Sequence, residues 1–99
     1  MSDRPLVSIV IVSWNVRALL QACLRSVFLF VRSPFEVIVV DNASTDGSVD
    51  MLKQEYPQVR CIANQANRGF ATANNQARAL VNAPYVLFLN PDAELINDA

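Results

Sequence analysis

The chain has 99 residues, of which 53% are hydrophobic and 17% are charged, and its formal net charge is −1. A length near 100 residues predicts one domain, residues 1–99, and this composition excludes a disordered chain. The absence of histidine excludes Ser-His-Asp, Cys-His and histidine–zinc mechanisms, and the near-neutral charge argues against a nucleic-acid partner.

Four apolar segments predict the strands of a sheet. They cover residues 6–12, 35–40, 59–63 and 85–89. The first, second and fourth are nearly continuous runs of Val, Ile, Leu and Phe, which is typical of parallel strands that are covered on both faces.

Three segments between these strands carry apolar residues at helical spacing. They cover residues 16–31, a stretch that starts within residues 44–48 and stops before Pro57, and residues 70–81. Asn15 stands at the N-cap position of the first helix, and Pro34 follows its end. The alternation of strands and helices predicts an α/β fold, a three-layer open sheet that is mostly parallel, with helices on both faces and right-handed crossovers.

The two cysteines, Cys23 and Cys61, lie in apolar segments and form no CxxC pair. We therefore expect two buried, reduced thiols, which are consistent with a cytoplasmic protein. No uncharged apolar run reaches the roughly 18 residues of a membrane span, and the N-terminal segment has the pattern of a strand rather than of a signal peptide.

Polar segments follow the predicted carboxyl ends of all four strands. They are Ser13-Trp14-Asn15, Asp41-Asn42-Ala43-Ser44, residues 64–69 and Asn90-Pro91-Asp92. In open α/β sheets, ligands bind outside the carboxyl ends of the strands, so we expect these segments to meet at one edge. By residue type alone, Asp41 suits a turn or a helix cap, but the concentration of Asp, Asn and Ser at successive strand ends favours a ligand site.

Only two glycines are present, Gly47 and Gly69, so the chain has neither a GxGxxG nor a GxxxxGK[ST] phosphate loop. For a nucleotide at this edge, a divalent metal held by a carboxylate would then be the natural way to neutralise the phosphates. Asp92 is the best-placed carboxylate for that metal, although its position after Pro91 also suits a simple turn.

Four segments in this order resemble the family 2 glycosyltransferases with a GT-A fold. They are VSIVIVSWN, VIVVDNASTDGSVDML, NQANRGFATANNQA and YVLFLNPDAEL, and the match runs from about residue 5 to residue 95. Within the family, the chain is most similar to the branch that includes bacterial rhamnosyltransferases of cell-surface polysaccharide synthesis. The resemblance implies a strand order 3-2-1-4 and inverting transfer of a sugar from a nucleotide diphosphate, such as a UDP- or dTDP-sugar, aided by Mg²⁺ or Mn²⁺.

The resemblance also implies roles for single residues. Nucleotide-binding roles fall on Ser13, Trp14, Asn15, Asp41, Asn42, Arg68, Gly69 and Asn90, and the metal-holding role falls on Asp92. Trp14 stands where the family often has an aromatic residue that stacks on the base, while a partly buried packing role suits it equally. Asn42 replaces the commoner Asp of the pair that contacts base and ribose, and Asn90 replaces the first acid of the DxD motif. Arg68 either contacts the nucleotide or lies solvated at the surface.

In the family, the catalytic base lies well after the DxD position, so we expect it beyond residue 99. This chain alone is then an inactive, nucleotide-binding part of a transferase whose acceptor-binding part is absent. The resemblance implies a saccharide or lipid-linked acceptor, and a lipid-linked acceptor would place the parent enzyme at the inner face of the membrane.

In the order 3-2-1-4 the fourth strand is an edge with apolar faces, which would pair with further chain, with a second copy as a homo-oligomer, or with an aggregate. The alternative function is a non-catalytic nucleotide-binding or interaction module. A phospho-acceptor receiver domain would need acids after the first strand, and a dinucleotide-dependent dehydrogenase would need the missing glycine motif.

Overall fold

The computed structural model describes residues 4–92. In chain order its elements are β1 (Val7–Ser13), α1 (Arg17–Phe30), β2 (Phe35–Asp41), α2 (Ser48–Glu55), β3 (Arg60–Ala63), α3 (Phe70–Arg78) and β4 (Tyr85–Phe88). Every predicted strand and helix is present in the predicted order, with ends that differ by a few residues. None of the helices in this part of the chain has the length and apolar character needed to cross a membrane.

The strands form one parallel sheet in the order β3-β2-β1-β4. Ser13 lies opposite Asp41, and Asp41 lies opposite Ala63, so β1, β2 and β3 end at the same level. β4 pairs with the first part of β1, and the Leu89 N–H extends this ladder by donating to the Val10 carbonyl at 2.9 Å. The predicted fold class and strand order are confirmed.

Helices cover both faces of the β1–β2 pair because successive side chains of a strand point to opposite faces. The face towards α1 and α2 presents Ile9, Ile11, Val37 and Val39, and the face towards α3 presents Val10, Ile38 and Val40. The helices complete these two clusters with Leu20, Cys23, Leu24 and Val27 of α1, Met51 and Leu52 of α2, and Ala73 and Ala77 of α3. Their spacing of three and four residues in α1 forms the apolar stripe that the sequence predicts.

The start of α1 differs from its prediction. Asn15 is not the N-cap, because Val16 occupies that position and Asn15 has a φ of +51°. The first helical N–H, that of Arg17, instead donates to the Asp46 carboxylate at 2.8 Å. The prediction was wrong because the acceptor comes from the loop after β2, and a local pattern contains no information about a neighbour 29 residues away.

Asp46 also holds the start of α2, since its carboxylate accepts hydrogen bonds from the Ser48 N–H at 3.1 Å and the Ser48 hydroxyl at 2.6 Å. Burial raises the pKa of Asp46, but the hydrogen bonds from Ser48 and from the Arg17 N–H outweigh it and hold the pKa below its usual value. Gly47 follows with a φ of +85°, and a Cβ at this position would lie 3.0 Å from an Arg17 side-chain nitrogen. One carboxylate therefore joins the N-termini of two helices, where negative charge is favourable.

Both cysteines are free thiols, as predicted, but only Cys23 is buried. The prediction of a buried Cys61 was wrong, because β3 is an edge strand of the sheet and Cys61 is exposed there. Partial desolvation of the thiol, together with the charge of Asp41, raises the pKa of Cys61 to about 11.

β4 is the other edge of the sheet, and all four of its side chains are exposed. The exposed fractions of Tyr85, Val86, Leu87 and Phe88 are 65%, 39%, 42% and 45%. Within residues 4–92, none of these four side chains belongs to either hydrophobic cluster. The expectation that so apolar a strand has both faces covered is therefore wrong for β4, because only one neighbouring strand is present to position helices beside it.

Candidate functional site

The predicted site residues lie at the carboxyl edge of the sheet. Ser13 and Asp41 are the last residues of β1 and β2, and residues 68–69 precede α3. Asn90 and Asp92 follow β4. Because the paired strands are parallel, all four polar segments leave the sheet at the same edge, as the sequence predicts.

A chain of hydrogen bonds joins the loops after β1 and β2. Asp41 is only 1% exposed, and its carboxylate oxygens accept from the Ser44 hydroxyl at 2.7 Å and the Ser44 N–H at 2.8 Å. The Ser44 hydroxyl oxygen accepts from the Asn15 N–H at 2.8 Å. The side-chain oxygen of Asn15 accepts from the Thr45 N–H at 2.7 Å. Asp41 thus has the turn-forming role that suits its residue type, and it also orders the neighbouring loop.

Trp14 lies between these ordered residues with 55% of its surface exposed. A tryptophan that served mainly in packing would be largely buried, because its ring is the largest apolar surface that any side chain offers. The exposure of the ring at the carboxyl edge therefore favours the stacking role over the packing role.

The Ser13 hydroxyl is the one buried side-chain group within residues 4–92 that has no hydrogen-bond partner. Ser13 is 1% exposed and faces the same side of the sheet as Asp41, its partner in the strand register. Leaving a buried polar group unpaired costs about 1–3 kcal/mol, so such a group in a native protein calls for an explanation. Its position at the carboxyl end of β1 places this unpaired hydroxyl at the edge where the sequence predicts a ligand site.

Asn42 shapes the loop between β3 and α3. It is 2% exposed, and its side-chain oxygen accepts from the Asn64 amide at 2.9 Å and from the Arg68 N–H at 3.4 Å. Its amide nitrogen donates to the Gly69 carbonyl at 3.4 Å. Asn64 and Gln76 exchange two further amide hydrogen bonds of 2.8 and 2.9 Å, which connect the loop to α3. A contact between Asn42 and a nucleotide base would have to compete with these bonds, since both lone pairs of its oxygen have partners.

Arg68 is exposed, and within residues 4–92 its guanidinium makes no ion pair or hydrogen bond. Gly69 follows with a φ of +82°, and its N–H donates to the Asn67 side chain at 2.9 Å. A Cβ at Gly69 would meet nothing within 4 Å, so glycine is favoured here by the backbone conformation and not by a close contact. The loop thereby presents one positive charge at the edge, in front of α3.

Asn90 and Asp92 extend the edge past β4, and both are exposed. The Asn90 carbonyl lies 3.8 Å from the Cys23 thiol, which places this part of the backbone against α1. The described residues contain no group of three or more acidic, Cys or His side chains that would hold a metal alone. Mg²⁺ is commonly held by one or two carboxylates together with phosphates and waters, so a single carboxylate at Asp92 fits an ion that is shared with a diphosphate.

Sequence analysis placed Ser44 and residues 64–69 at this edge without a role in connecting the loops, and it did not assign Thr45 or Gln76 to the site. A Ser that follows an Asp by three residues is a typical turn pattern, so the hydrogen bonds between Ser44 and Asp41 could have been predicted from the sequence. Nothing in the sequence connects Asn64 with Gln76, because their amides meet only through the way in which α3 lies on the sheet.

The parallel sheet, its strand order and the polar carboxyl edge define the chain as a GT-A glycosyltransferase fold. Among solved structures, the fold matches the mannosyltransferase PcManGT from Pyrobaculum calidifontis, which was determined in complex with GDP-Man and Mn²⁺. The TM-score is 0.80 at 28% identity, and the match covers 94% of this chain and 29% of that chain.

The family model of Glycosyl transferase family 2 matches residues 8–99, so the chain belongs to glycosyltransferase family 2. It is 34% identical over 92 residues to the putative teichuronic acid biosynthesis glycosyltransferase TuaG of Bacillus subtilis, covering 90% of this chain and 36% of that protein. It is 31% identical over 97 residues to the N-acetylglucosaminyl-diphospho-decaprenol L-rhamnosyltransferase of Mycobacterium tuberculosis, covering 87% and 32%. The chain thus spans about a third of the length of these two relatives.

Proposed function

We propose that the chain is the donor-binding part of a glycosyltransferase that acts in cell-surface polysaccharide synthesis. It binds a nucleotide-diphosphate sugar at the carboxyl edge of the sheet, with a divalent metal, for inverting transfer to an acceptor hydroxyl. The observation that carries this proposal is that three complementary groups leave the same edge: the exposed Trp14 ring, the unpaired Arg68 guanidinium and the Asp92 carboxylate.

Each of these groups suits one part of the donor. The Trp14 ring offers a flat π surface for the base, and stacking of this kind tolerates any base. The Arg68 guanidinium offers paired N–H donors for phosphate oxygens. The unpartnered Ser13 hydroxyl, at the carboxyl end of β1, would supply one further hydrogen bond to the bound nucleotide. We expect UDP- or dTDP-sugars as donors, while PcManGT, a 28% identical neighbour, was solved with GDP-Man.

Asp92 would hold Mg²⁺ or Mn²⁺, with the Asn90 side chain beside it. The Mn²⁺ in the PcManGT complex supports the use of a divalent ion in this fold. Such an ion, when bound, stabilises the negative charge that develops on the departing diphosphate. Asn90 in place of an acid leaves one negative charge fewer to hold the ion, so Asp92 would be the carboxylate of this segment that holds it.

The acceptor and the catalytic base complete the proposal. We propose that the base lies outside these 99 residues, so that this chain alone binds the donor without transferring it. We propose that a longer protein containing this chain transfers rhamnose or another hexose in the cytoplasm. The acceptor would be a saccharide or a lipid-linked acceptor at the inner membrane face. The M. tuberculosis relative, whose name specifies N-acetylglucosaminyl-diphospho-decaprenol and L-rhamnose, supports this assignment.

Calorimetric titration of the chain with UDP, dTDP and GDP, with and without Mn²⁺, tests the proposal. We expect Mn²⁺ to strengthen binding, Asp92→Asn to abolish that strengthening, and Trp14→Ala to weaken binding about tenfold or more. Asp50→Asn serves as the matched control, because Asp50 is an exposed acid on α2.

Two results would contradict the proposal. A folded chain that binds none of the three nucleotides has no donor site. Binding that is insensitive to Mn²⁺ and unchanged in Asp92→Asn would favour a non-catalytic nucleotide-binding module instead.

A further inference from the structure

We propose that Asn15 is a positioning residue that holds Trp14 in place for stacking on a nucleobase, with its side-chain oxygen engaged by the protein and not by the nucleotide. This inference rests on the proposed nucleotide-binding function. It assigns to Asn15 a role different from the direct contact that the family resemblance implies.

The backbone of Asn15 adopts a conformation that requires support. Its φ of +51° lies in the left-handed region, which non-glycine residues seldom occupy and in which Asn is enriched. Such a conformation persists where surrounding contacts hold it. Here it forms the turn between β1 and α1 in which Trp14 lies.

The supporting contacts come from the loop after β2. The Asn15 N–H donates to the Ser44 hydroxyl oxygen at 2.8 Å, and the Asn15 side-chain oxygen accepts from the Thr45 N–H at 2.7 Å and the Thr45 hydroxyl at 3.4 Å. Ser44 is itself held by the buried carboxylate of Asp41. The hydrogen bonds of Asn15 with Ser44 and Thr45, which we call the Asn15 clasp, are thus anchored at the end of a central strand.

The residue before Trp14 is also held by a hydrogen bond. Ser13 is the last residue of β1, and its carbonyl accepts the Asn42 N–H at 2.9 Å. The backbone of Trp14 is therefore fixed on both sides, while its ring stays exposed. Because the turn that carries the ring is ordered before binding, less conformational freedom is lost when a base stacks on Trp14, which strengthens binding.

The occupancy of the Asn15 oxygen supports a positioning role. This oxygen already accepts two hydrogen bonds, so it has no lone pair left for a nucleotide. The amide group thus connects two loops of the protein at the point where Trp14 is presented.

Fluorescence tests the proposal directly, because Trp14 is the only tryptophan of the chain. Asn15→Gly keeps access to positive φ and removes the side-chain acceptor, and Asn15→Asp keeps the acceptor and removes the amide NH₂. Ser44→Ala removes the partner of the Asn15 N–H and gives a second way to open the clasp. Gln58→Gly is the control, since Gln58 is exposed in the turn before β3, at the amino end of the sheet.

In the ligand-free protein we expect lower Trp14 anisotropy and stronger acrylamide quenching in Asn15→Gly and Ser44→Ala, with wild-type values in Asn15→Asp and Gln58→Gly. We expect Asn15→Gly to weaken UDP or dTDP binding about two- to tenfold. This factor corresponds to the net free energy that one or two hydrogen bonds usually contribute. Circular dichroism on each variant confirms that the fold is intact.

The two proposals fail in different ways. A wild-type chain that binds no nucleotide would overturn the proposed function and, with it, this assignment. Nucleotide binding by the wild type, together with unchanged anisotropy, quenching and affinity in Asn15→Gly and Ser44→Ala, would overturn the role of Asn15 alone. Altered anisotropy in Asn15→Asp equal to that in Asn15→Gly would also contradict it.

Discussion

Strands β1 and β4 are neighbours of similar composition in very different surroundings. Ile9 of β1 and Leu87 of β4 lie opposite each other in the register, yet Ile9 is fully buried and Leu87 is 42% exposed. β1 lies between two strands with helices on both faces, whereas β4 pairs with β1 alone. The comparison shows that an apolar sequence makes burial favourable for a strand, while the position in the sheet decides how much burial the strand obtains.

The largest expected effect comes from shortening these two opposed side chains. Ile9→Ala should lower the free energy of unfolding by about 2–5 kcal/mol, because it leaves a cavity in a close-packed core. Leu87→Ala should cost less than about 1 kcal/mol, since much of the side chain is already exposed to water. Urea denaturation measures both values, and equal losses would show that β4 is packed as tightly as β1.

The next prediction tests whether the exposed apolar side chains of β4 lead to association between copies of this chain. Val86→Lys places a charge on the exposed apolar edge and should weaken association about tenfold or more, as the burial of one apolar side chain contributes about 1.5–3 kcal/mol. Light scattering over a concentration series measures the change.

The matched control for this edge is Leu29→Lys. Leu29 is an exposed apolar residue of α1, 64% accessible, on another part of the surface. A wild-type chain that stays monomeric at high concentration, or equal effects of the two lysines, would exclude association through β4.

Glu36 connects the buried part of the sheet to the segment that leads into β4. Its carboxylate accepts hydrogen bonds from the Ser8 hydroxyl and from the Asn82 N–H, the latter at 2.9 Å, and lies 3.8 Å from an Arg60 side-chain nitrogen. Burial raises the pKa of Glu36, but these hydrogen bonds and the positive charge outweigh it and hold the pKa below its usual value of 4.5. Glu36→Gln should therefore lower the free energy of unfolding at pH 7 by about 1–2 kcal/mol.

The sign of the pH dependence follows from this lowered pKa. The stabilising contribution of Glu36 is fully present above the pKa of the unfolded chain and is lost as the pH falls through the lower pKa of the folded state. Denaturation at a series of pH values below about 5 should thus show that the free energy of unfolding falls less steeply with decreasing pH in Glu36→Gln than in the wild type. Equal pH dependence of the free energy of unfolding in the two proteins would exclude Glu36 as a source of the acid sensitivity. Asp46, whose pKa is also lowered, contributes to the pH dependence that remains in Glu36→Gln.

The smallest effect on stability is expected at the opposite edge of the sheet. Cys61→Ser on β3 should change the free energy of unfolding by less than about 0.5 kcal/mol, as is usual for surface sites. Because the pKa of the Cys61 thiol is raised to about 11, little thiolate exists at pH 8. Alkylation by iodoacetamide should be slower than that of free cysteine by a factor on the order of a hundred, and an ordinary rate would contradict the raised pKa.

Local patterns predicted those features whose cause lies within a short segment. The spacing of Leu20, Cys23, Leu24 and Val27 gave α1 its buried stripe, and Pro34 and Pro57 marked the ends of helices. Polar residues at the ends of apolar runs predicted a common site edge, because parallel strands end on the same side.

Errors arose where the cause lies elsewhere in the chain. Asn15 had the residue type of an N-cap, but Asp46 supplied the helix acceptor and Thr45 occupied the Asn15 side chain. Cys61 lies in an apolar run, but the run became an edge strand. Long-range neighbours of this kind leave no trace in the local spacing of residues.

The sequence by itself determined the α/β alternation, the order of the elements, the membership of glycosyltransferase family 2 and the polar character of the carboxyl edge. The alternation, the order and the polar edge depend on hydrophobic periodicity and residue type, which each segment carries on its own. The family membership depends on the similarity of whole motifs to those of other proteins. Only the tertiary structure decided that Asp41 is buried and engaged by Ser44, that Asn42 organises the Arg68 loop, and that β4 stays exposed. Each of these depends on which segments come together in space, and a side chain acquires its partners only after the sheet and its helices have packed.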